Sequence, residues 1–194
     1  MLDTETFSKG IAMLESCYLT FNLQDADRPT WYAIMKDVID DAAFLPLIVN
    51  YCRSESAPTC PSDLIRFGKQ MLTDAAPAPA FVANALVEAV EHMNSDYDFT
   101  FSDPSQDDIQ EYIVNYLVAQ NVSFRRDDIR VVLVTLVKDY LGILVKAVRH
   151  NDHTEISILT SEIKTSYRNS LKKIVSRSVL SADALEGTNP LLLK

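Results

Sequence analysis

The sequence predicts an all-α protein in which an N-terminal four-helix unit is followed by a second helical bundle with a long buried helix. Apolar residues recur at helical spacing through most of the 194 residues, and acidic residues, serine or proline stand where helices would begin. Glycine occurs only four times, which argues against an all-β fold built from tight turns. With 47% apolar and 23% charged residues, the chain can form a sizeable core without disulfides or metal.

The first two helices are predicted from their apolar faces and their start signals. Asp3 or Thr4 is the expected N-cap of the first helix. Its apolar face steps by four, three, four and three residues through Phe7, Ile11, Leu14, Tyr18 and Phe21. Asp27 can cap the second helix, and Pro29 suits its first turn. The expected inner face of the second helix comprises Trp31, Ile34, Met35 and Val38.

The third and fourth helices complete the predicted N-terminal unit. The third is expected to begin after Asp40 and Asp41, with Pro46 accommodated in its first turn. Its expected buried side comprises Phe44, Leu47, Ile48, Tyr51 and Cys52. The stretch "ESAPTCPSDLIRF", residues 55–67, predicts a proline-framed loop followed by a short fourth helix that Ser62 caps.

Alternating alanine and proline in residues 74–80 predict an extended linker, with an ordinary loop between helices as the alternative. The predicted domains are therefore an N-terminal helical domain of residues 1–73 and a C-terminal helical domain of residues 81–194. The second domain is expected to end in a loose tail, "GTNPLLLK".

The C-terminal half opens with two predicted helices. One runs over about residues 81–93, and a turn-rich acidic segment with a short extended piece at residues 97–101 follows it. Asp103 and Pro104 mark the next helix start. The expected inner side of that helix comprises Ile109, Ile113, Tyr116 and Leu117.

A valine-rich stretch, "DDIRVVLVTLVKDYLGILVKAVRH", favours a strand locally, but its apolar residues keep helical spacing for more than five turns between residues 129 and 148. Charged residues interrupt it too often for a membrane span. It is therefore predicted to be the long buried helix. A last helix over about residues 154–180 has its expected inner side at Ile156, Leu159, Ile163, Tyr167 and Ile174.

The formal charge of −9 is unevenly distributed. Residues 75–124 contain eight acidic and no basic residues, whereas residues 125–194 contain twelve basic and eight acidic residues. Contact with nucleic acid would therefore have to use the C-terminal part or a local patch. Three widely spaced cysteines and an N-terminus without a basic leader predict a cytoplasmic protein. Cys17 and Cys52 are expected to be buried, and Cys60 to lie in an exposed loop.

The sequence predicts no enzymatic activity, no cofactor and no metal site. The densest group of possible metal ligands, "HNDHTE" at residues 150–155, is expected to be a polar turn between two helices. Aspartate pairs at residues 40–41, 107–108 and 127–128 stand near predicted helix starts, where carboxylates face the positive end of the helix dipole. A glycine-rich phosphate-binding loop is missing from the sequence.

Three groups of residues are candidates for partner contact. A basic set on the last helix could meet nucleic acid or an acidic partner, or could simply be a solvated helix face: Lys164, Arg168, Lys172, Lys173 and Arg177. Near the proline-framed loop, Arg66 and Lys69 form a smaller positive spot. Trp31 and Tyr32 are candidate anchors if they are exposed. Core packing is the favoured reading for Trp31.

Four motifs carry a resemblance to a known family: "CYLTF", "TWYAIMKDV", "LIVNYCRS" and "APTCPSDLIRF". Through them, residues 7–70 resemble the small helical domain of phage loader/inhibitor proteins that act on a hexameric DnaB-like replicative helicase. The resemblance implies a non-enzymatic adaptor in DNA replication. Proteins of that family are shorter and carry a flexible polar C-terminal region, whereas residues 81–180 are apolar and predicted helical. The helicase-contact element therefore carries over to no position of this chain.

Three hypotheses on function follow. The first is a phage or prophage replication accessory protein that binds the helicase and assists or restrains its loading; it requires no membrane and leaves direct nucleic-acid binding open. The second is an acidic inhibitor or nucleic-acid-mimicking decoy of a host or defence enzyme, with a surface formed by Asp103, Asp107, Asp108 and Glu111. The third is a homo-oligomer in which the long helix over residues 129–148 pairs between chains.

Overall fold

The computed structural model describes residues 1–96, 105–122 and 126–181. Over these residues the protein is all-α, without strands, which confirms the predicted fold class. The eight helices of the described part are α1 (Thr4–Cys17), α2 (Arg28–Met35), α3 (Asp41–Ser54), α4 (Pro61–Ala75), α5 (Pro79–Asp96), α6 (Gln106–Ala119), α7 (Arg126–Arg149) and α8 (His153–Arg177).

The chain forms two compact units, each with a hydrophobic core of its own. The first comprises Met1–Ala75 together with Val175–Lys194, and the second comprises Ala76–Ile174. The predicted boundaries differ from these in two respects. Helices α4 and α5 extend into the Ala/Pro stretch and leave only residues 76–78 between them. The residues from Val175 onward belong to the first unit, whereas the sequence had assigned them to the second.

Helix α1 begins where its sequence predicts and packs closely on α3. The Asp3 carboxylate accepts hydrogen bonds from the backbone N–H groups of Glu5 and Thr6, at 2.7 and 2.8 Å, so Asp3 is the N-cap. Gly10 faces the ring of Phe44, which occupies the space that a β-carbon would need. Glycine at this position therefore allows the two helices to approach each other.

Two details of α2 and α3 differ from their predictions. Ile34 is 44% exposed, while Trp31 and Met35 form the buried side of α2. Pro46 is the sixth residue of α3, beyond the first turn that the prediction required. A proline inside a helix costs about 3 kcal/mol. The fully buried Phe44, Leu47 and Ile48 offset that cost, since each contributes about 1.5–3 kcal/mol on burial.

A short segment after α8, residues 178–181, completes the core of the first unit; we call it the Leu180 segment. Leu180 is fully buried in that core. Its backbone N–H donates to the carbonyl oxygen of Val38, and its carbonyl oxygen accepts from the N–H of Asp40, both at 2.8 Å. This isolated parallel bridge, opposite Ile39, explains why residues 175–181 belong with the N-terminal helices.

The second unit is built from α5, α6, α7 and most of α8 around a second core. Ser105 and Asp108 form a reciprocal capping box at the start of α6. The predicted start signals, Asp103 and Pro104, lie outside the described residues, as does the extended piece at residues 97–101. The buried face of α7 follows the predicted spacing through Ile129, Val132, Leu133, Leu136, Val137, Leu144 and Val148.

Helix α8 contributes Leu159, Ile163 and Tyr167 to the same core. Tyr167 is the largest fully buried side chain among the described residues, and its hydroxyl has no hydrogen-bond partner there. Within the same residues, we find no helix whose length and hydropathy would allow it to cross a membrane.

Candidate interaction surfaces

Three cations of the second unit form a row along α8, which we call the basic row: Lys164, Arg168 and Lys172. Their spacing of four residues places them on successive turns of one helix face. Arg168 and Lys172 are exposed and Lys164 is half-buried. Among the described residues no acidic side chain forms an ion pair with any of the three. Within the described residues the row is therefore a positive surface without ion-pair partners, on a protein whose net charge is −9.

The other two predicted basic residues of α8 lie away from this row. Lys173 and Arg177 are exposed, but their positions fall on the opposite side of the helix. Lys173 also makes a contact within the protein, and Arg177 belongs to the first unit. The predicted five-residue set thus divides into a row of three and two separate residues.

A shallow groove lined mostly by polar side chains lies between α7 and α8, the helix that carries the basic row. Its lining comprises Tyr140, Ser161, Glu162, Thr165, Ser166 and Asn169. Hydroxyl and amide groups beside lysine and arginine are the side chains that contact nucleic-acid phosphates and polar protein surfaces alike. Sequence reasoning missed this groove, although the repeated serine and threonine of "TSEIKTSYRNS" carried a signal.

The start of α4 is organised by Asp63 rather than by the predicted cap, Ser62. The helix begins at Pro61, so Ser62 already lies in its first turn. The Asp63 carboxylate accepts hydrogen bonds from the backbone N–H of Thr59, the hydroxyl of Thr59 and the backbone N–H of Cys60, at 2.9, 2.9 and 3.2 Å. These hydrogen bonds hold the pKa of Asp63 below its ordinary value, and the bond from the Thr59 backbone N–H has the largest effect.

Arg66 and Lys69, the positive spot predicted near the proline-framed loop, both bind partners within the first unit. The Arg66 guanidinium pairs with Asp63 at 3.0 Å, although its side chain is 80% exposed. The Lys69 ammonium donates to the backbone oxygen of Ser176 at 2.5 Å, at the C-terminal end of α8. Lysine at this point complements the negative end of the helix. Lys69 therefore holds the chain that leads into the Leu180 segment, and Arg66 alone extends towards solvent.

The two aromatic candidates have internal partners. The ring of Trp31 is 8% exposed and packs against Phe21 with centroids 5.7 Å apart, which is the core position that the sequence favoured. Tyr32 is half-buried, packs edge-on against Phe7 and donates its hydroxyl to the carbonyl oxygen of Leu2 at 3.0 Å. In this structure both side chains support the fold of the first unit.

The acidic residues proposed as a decoy surface are only partly available. Asp108 is used in the capping box of α6, and the Glu111 carboxylate pairs with Arg130 of α7. Asp107 is exposed in the first turn of α6. Asp103 lies outside the described residues. The decoy hypothesis therefore has less structural support than the hypothesis that the basic row contacts a partner.

The outer side of α7 retains exposed apolar residues: Val131, Val134 and Ile143. They are compatible with pairing of the long helix between copies. That pairing stays a prediction.

The groups considered for chemistry have structural roles in the described part of the chain. No set of three or more histidine, cysteine or acidic side chains there converges on one point. In "HNDHTE", His150 Nδ1 contacts the carbonyl oxygen of Lys146 at 2.7 Å, and Asp152 accepts from the N–H of Glu155 at 3.0 Å. The segment is therefore the turn between α7 and α8 that its sequence predicts.

The cysteines differ in part from their predicted placement. Cys17, expected to be buried, is exposed because α1 ends there at the surface. Cys52 is half-buried. Burial is the larger cause and the neighbouring Cys17 thiol the smaller one of a rise in the pKa of Cys52 to about 12. Cys60, expected to be exposed, is also half-buried. Because its pKa is so high, the Cys52 thiol is protonated near neutral pH and is a poor nucleophile.

Comparisons of the chain with protein-family models, with curated proteins and with solved structures found no match. The resemblance to phage helicase loaders therefore stays a prediction that rests on the motifs of residues 7–70.

Proposed function

We propose that this protein is a non-enzymatic accessory factor of phage or prophage DNA replication that binds a hexameric replicative helicase and assists or restrains its loading. The observation that supports the proposal is the basic row of α8, because within the described residues these three neighbouring cations form no ion pair, although the protein as a whole is acidic. The loader-like motifs of residues 7–70 supply the class of partner.

Surface docking by such a row works through charge complementarity. An acidic face of the partner would steer the encounter and fix its orientation. The hydroxyl and amide side chains of the groove on the same helix would supply neutral hydrogen bonds. Because the row is exposed, its contribution should fall steeply with ionic strength. The helicase would perform all nucleotide chemistry, and this protein would act by holding the ring in one state.

The test is co-elution of the full chain with the hexameric replicative helicase of its own host, alongside an ATPase assay of the isolated protein. Binding without intrinsic ATPase activity is the expected result. Failure to bind that helicase at low salt would refute the proposed function.

A matched pair of variants tests the basic row itself. Replacing Lys164, Arg168 and Lys172 by glutamate should weaken helicase binding by about tenfold or more at low salt. The control carries the same change of charge at three exposed cations elsewhere: Arg53, Lys138 and Lys146. Equal loss in both variants would indicate a general charge effect, and no loss in either would remove the row from the interface.

A DNA-binding measurement separates this proposal from its nearest alternatives. We expect labelled single-stranded DNA to bind more weakly than the helicase does. Tight binding to DNA that depends on the row, without binding to the helicase, would make the row a nucleic-acid site. Competition with DNA for a basic enzyme, abolished by charge reversal at Asp103, Asp107, Asp108 and Glu111, would instead support the decoy hypothesis.

A further inference from the structure

Helices α1 and α3 of the first unit lie side by side and run in the same direction. At their N-terminal ends, the backbone N–H of Asp3 donates to the Asp41 carboxylate at 3.1 Å. Halfway along, Gly10 faces the ring of Phe44 so closely that a β-carbon at Gly10 would clash with it. Because the starts and the middles of the two helices are matched, their C-terminal ends come to the same level.

The C-terminal ends of the two helices are joined by Tyr18, the residue that follows Cys17. The Tyr18 hydroxyl donates to the carbonyl oxygens of Tyr51 and Glu55, at 3.2 and 2.9 Å. Cys52 is the residue next to Tyr51. These hydrogen bonds therefore hold the last turn of α1, with Cys17, against the turn of α3 that carries Cys52.

The thiols of Cys17 and Cys52 are neighbours at this level. Cys17 follows Gly10 by about two helical turns, so it lies on the face of α1 that packs on α3. The two thiols interact through a side-chain hydrogen bond, and the Tyr18 hydroxyl lies within hydrogen-bond reach of Cys52 as well. Cys17 is exposed and Cys52 is half-buried. An accessible thiol beside a second, less accessible one is the arrangement of redox-sensing cysteine pairs.

We propose that Cys17 and Cys52 form a disulfide between α1 and α3 when the protein meets a small disulfide such as oxidised glutathione. The Cys17 thiolate attacks one sulfur of oxidised glutathione, which gives a mixed disulfide and releases one glutathione thiolate. The Cys52 sulfur then attacks the Cys17 sulfur, and the second glutathione thiolate leaves. Two electrons pass from the protein to glutathione, and the protons of the two protein thiols end on the two released glutathione molecules.

The properties of Cys52 make this disulfide slow to form and slow to reduce. Burial raises the pKa of Cys52 to about 12, so the second step depends on proximity to Cys17 rather than on a ready thiolate. In the reverse direction, a thiol that attacks the exposed Cys17 sulfur must expel the Cys52 thiolate, which is a poor leaving group. The bond would fix α1 to α3 covalently at the end that Tyr18 now joins by hydrogen bonds.

The test uses the full-length variant Cys60→Ser, which retains only the two cysteines of the pair. The dilute protein is equilibrated with oxidised and reduced glutathione, free thiols are blocked, and the products are counted by intact mass. We expect the equilibrium constant for the intramolecular disulfide to be about tenfold to a hundredfold larger in the folded protein than in urea, because the fold holds the thiols together. Equal constants, or a folded protein that stops at glutathione adducts, would overturn the proposal.

Two controls accompany this measurement. Cys52→Ser in the same background should give only the glutathione adduct of Cys17, and a Cys17 that takes up no glutathione would contradict the first step. The wild-type chain covers the case in which a variant does not fold, because cleavage after lysine and arginine places the three cysteines in separate peptides. A link between the peptides of Cys17 and Cys52 supports the proposal, and a link that includes Cys60 instead overturns it.

Discussion

Replacing Leu180 by alanine measures how far the N-terminal helices depend on the end of the chain. Leu180 is fully buried in the core of the first unit. Truncation of a buried leucine to alanine costs about 2–5 kcal/mol, depending on how well the site can collapse. The two backbone bonds of residue 180 still hold the segment after the truncation, and it can shift to fill part of the space that the leucine leaves. We therefore expect a loss in the lower half of that range, about 2–3 kcal/mol.

Trp31 provides an assay specific to this unit. It is the only tryptophan of the chain, it is 8% exposed, and it belongs to the same core as Leu180. Its fluorescence in a urea titration therefore reports the free energy of unfolding of the first unit. Val179→Ala is the matched control, because Val179 is adjacent and 48% exposed. A loss for Leu180→Ala within about 0.5 kcal/mol of the control, as for an ordinary surface change, would refute the reasoning.

Three further predictions concern single contacts. Gly68→Ala should destabilise the first unit of the wild-type protein, but much less in a protein that also carries Leu180→Ala, because the added methyl group clashes mainly with Leu180. Additive losses of stability in a double-mutant cycle would contradict this contact. Tyr167→Phe should stabilise the second unit by about 1 kcal/mol, because it removes a buried hydroxyl that has no hydrogen-bond partner among the described residues. A lower stability of this variant in thermal unfolding would show that the hydroxyl does have a partner. Asp63→Asn should destabilise the protein near neutral pH, because the folded-state pKa of Asp63 is lowered and its contribution is present above the ordinary value of 3.8. That contribution is lost as the pH falls through the lowered pKa, so the difference in Tm between the two proteins should shrink as the pH falls below 3.8, and a constant difference would contradict the role of the carboxylate.

The local signals of the sequence predicted the helices well. Asp3 caps α1 through the bonds that its residue type suggests, and the spacing of apolar residues in α7 correctly favoured a helix over a valine-rich strand. The errors arose where packing overrides local preference. Helix α3 continues through Pro46 because the buried side chains around the proline compensate for the lost hydrogen bond. Asp63, rather than Ser62, organises the start of α4 because its carboxylate accepts a hydrogen bond from the backbone of Thr59.

The candidate surfaces were predictable only as residue types. Helical spacing alone identifies Lys164, Arg168 and Lys172 as one row. The internal pairing of Lys69 with Ser176 could not be predicted, because that contact joins positions more than one hundred residues apart. The partner of Tyr32 could not be predicted either, because its hydroxyl donates to the carbonyl oxygen of Leu2, 30 residues away and outside the same helix.

The sequence alone determined the helical class and the acidic character with its basic C-terminal row. These properties depend on neighbours within a few turns of helix, which periodicity and charge spacing record directly. Only the tertiary structure decided that Leu180 completes the N-terminal core. Burial of one leucine opposite Gly68 is a long-range event whose free energy depends on the shape of the cleft, and residue spacing does not encode that shape.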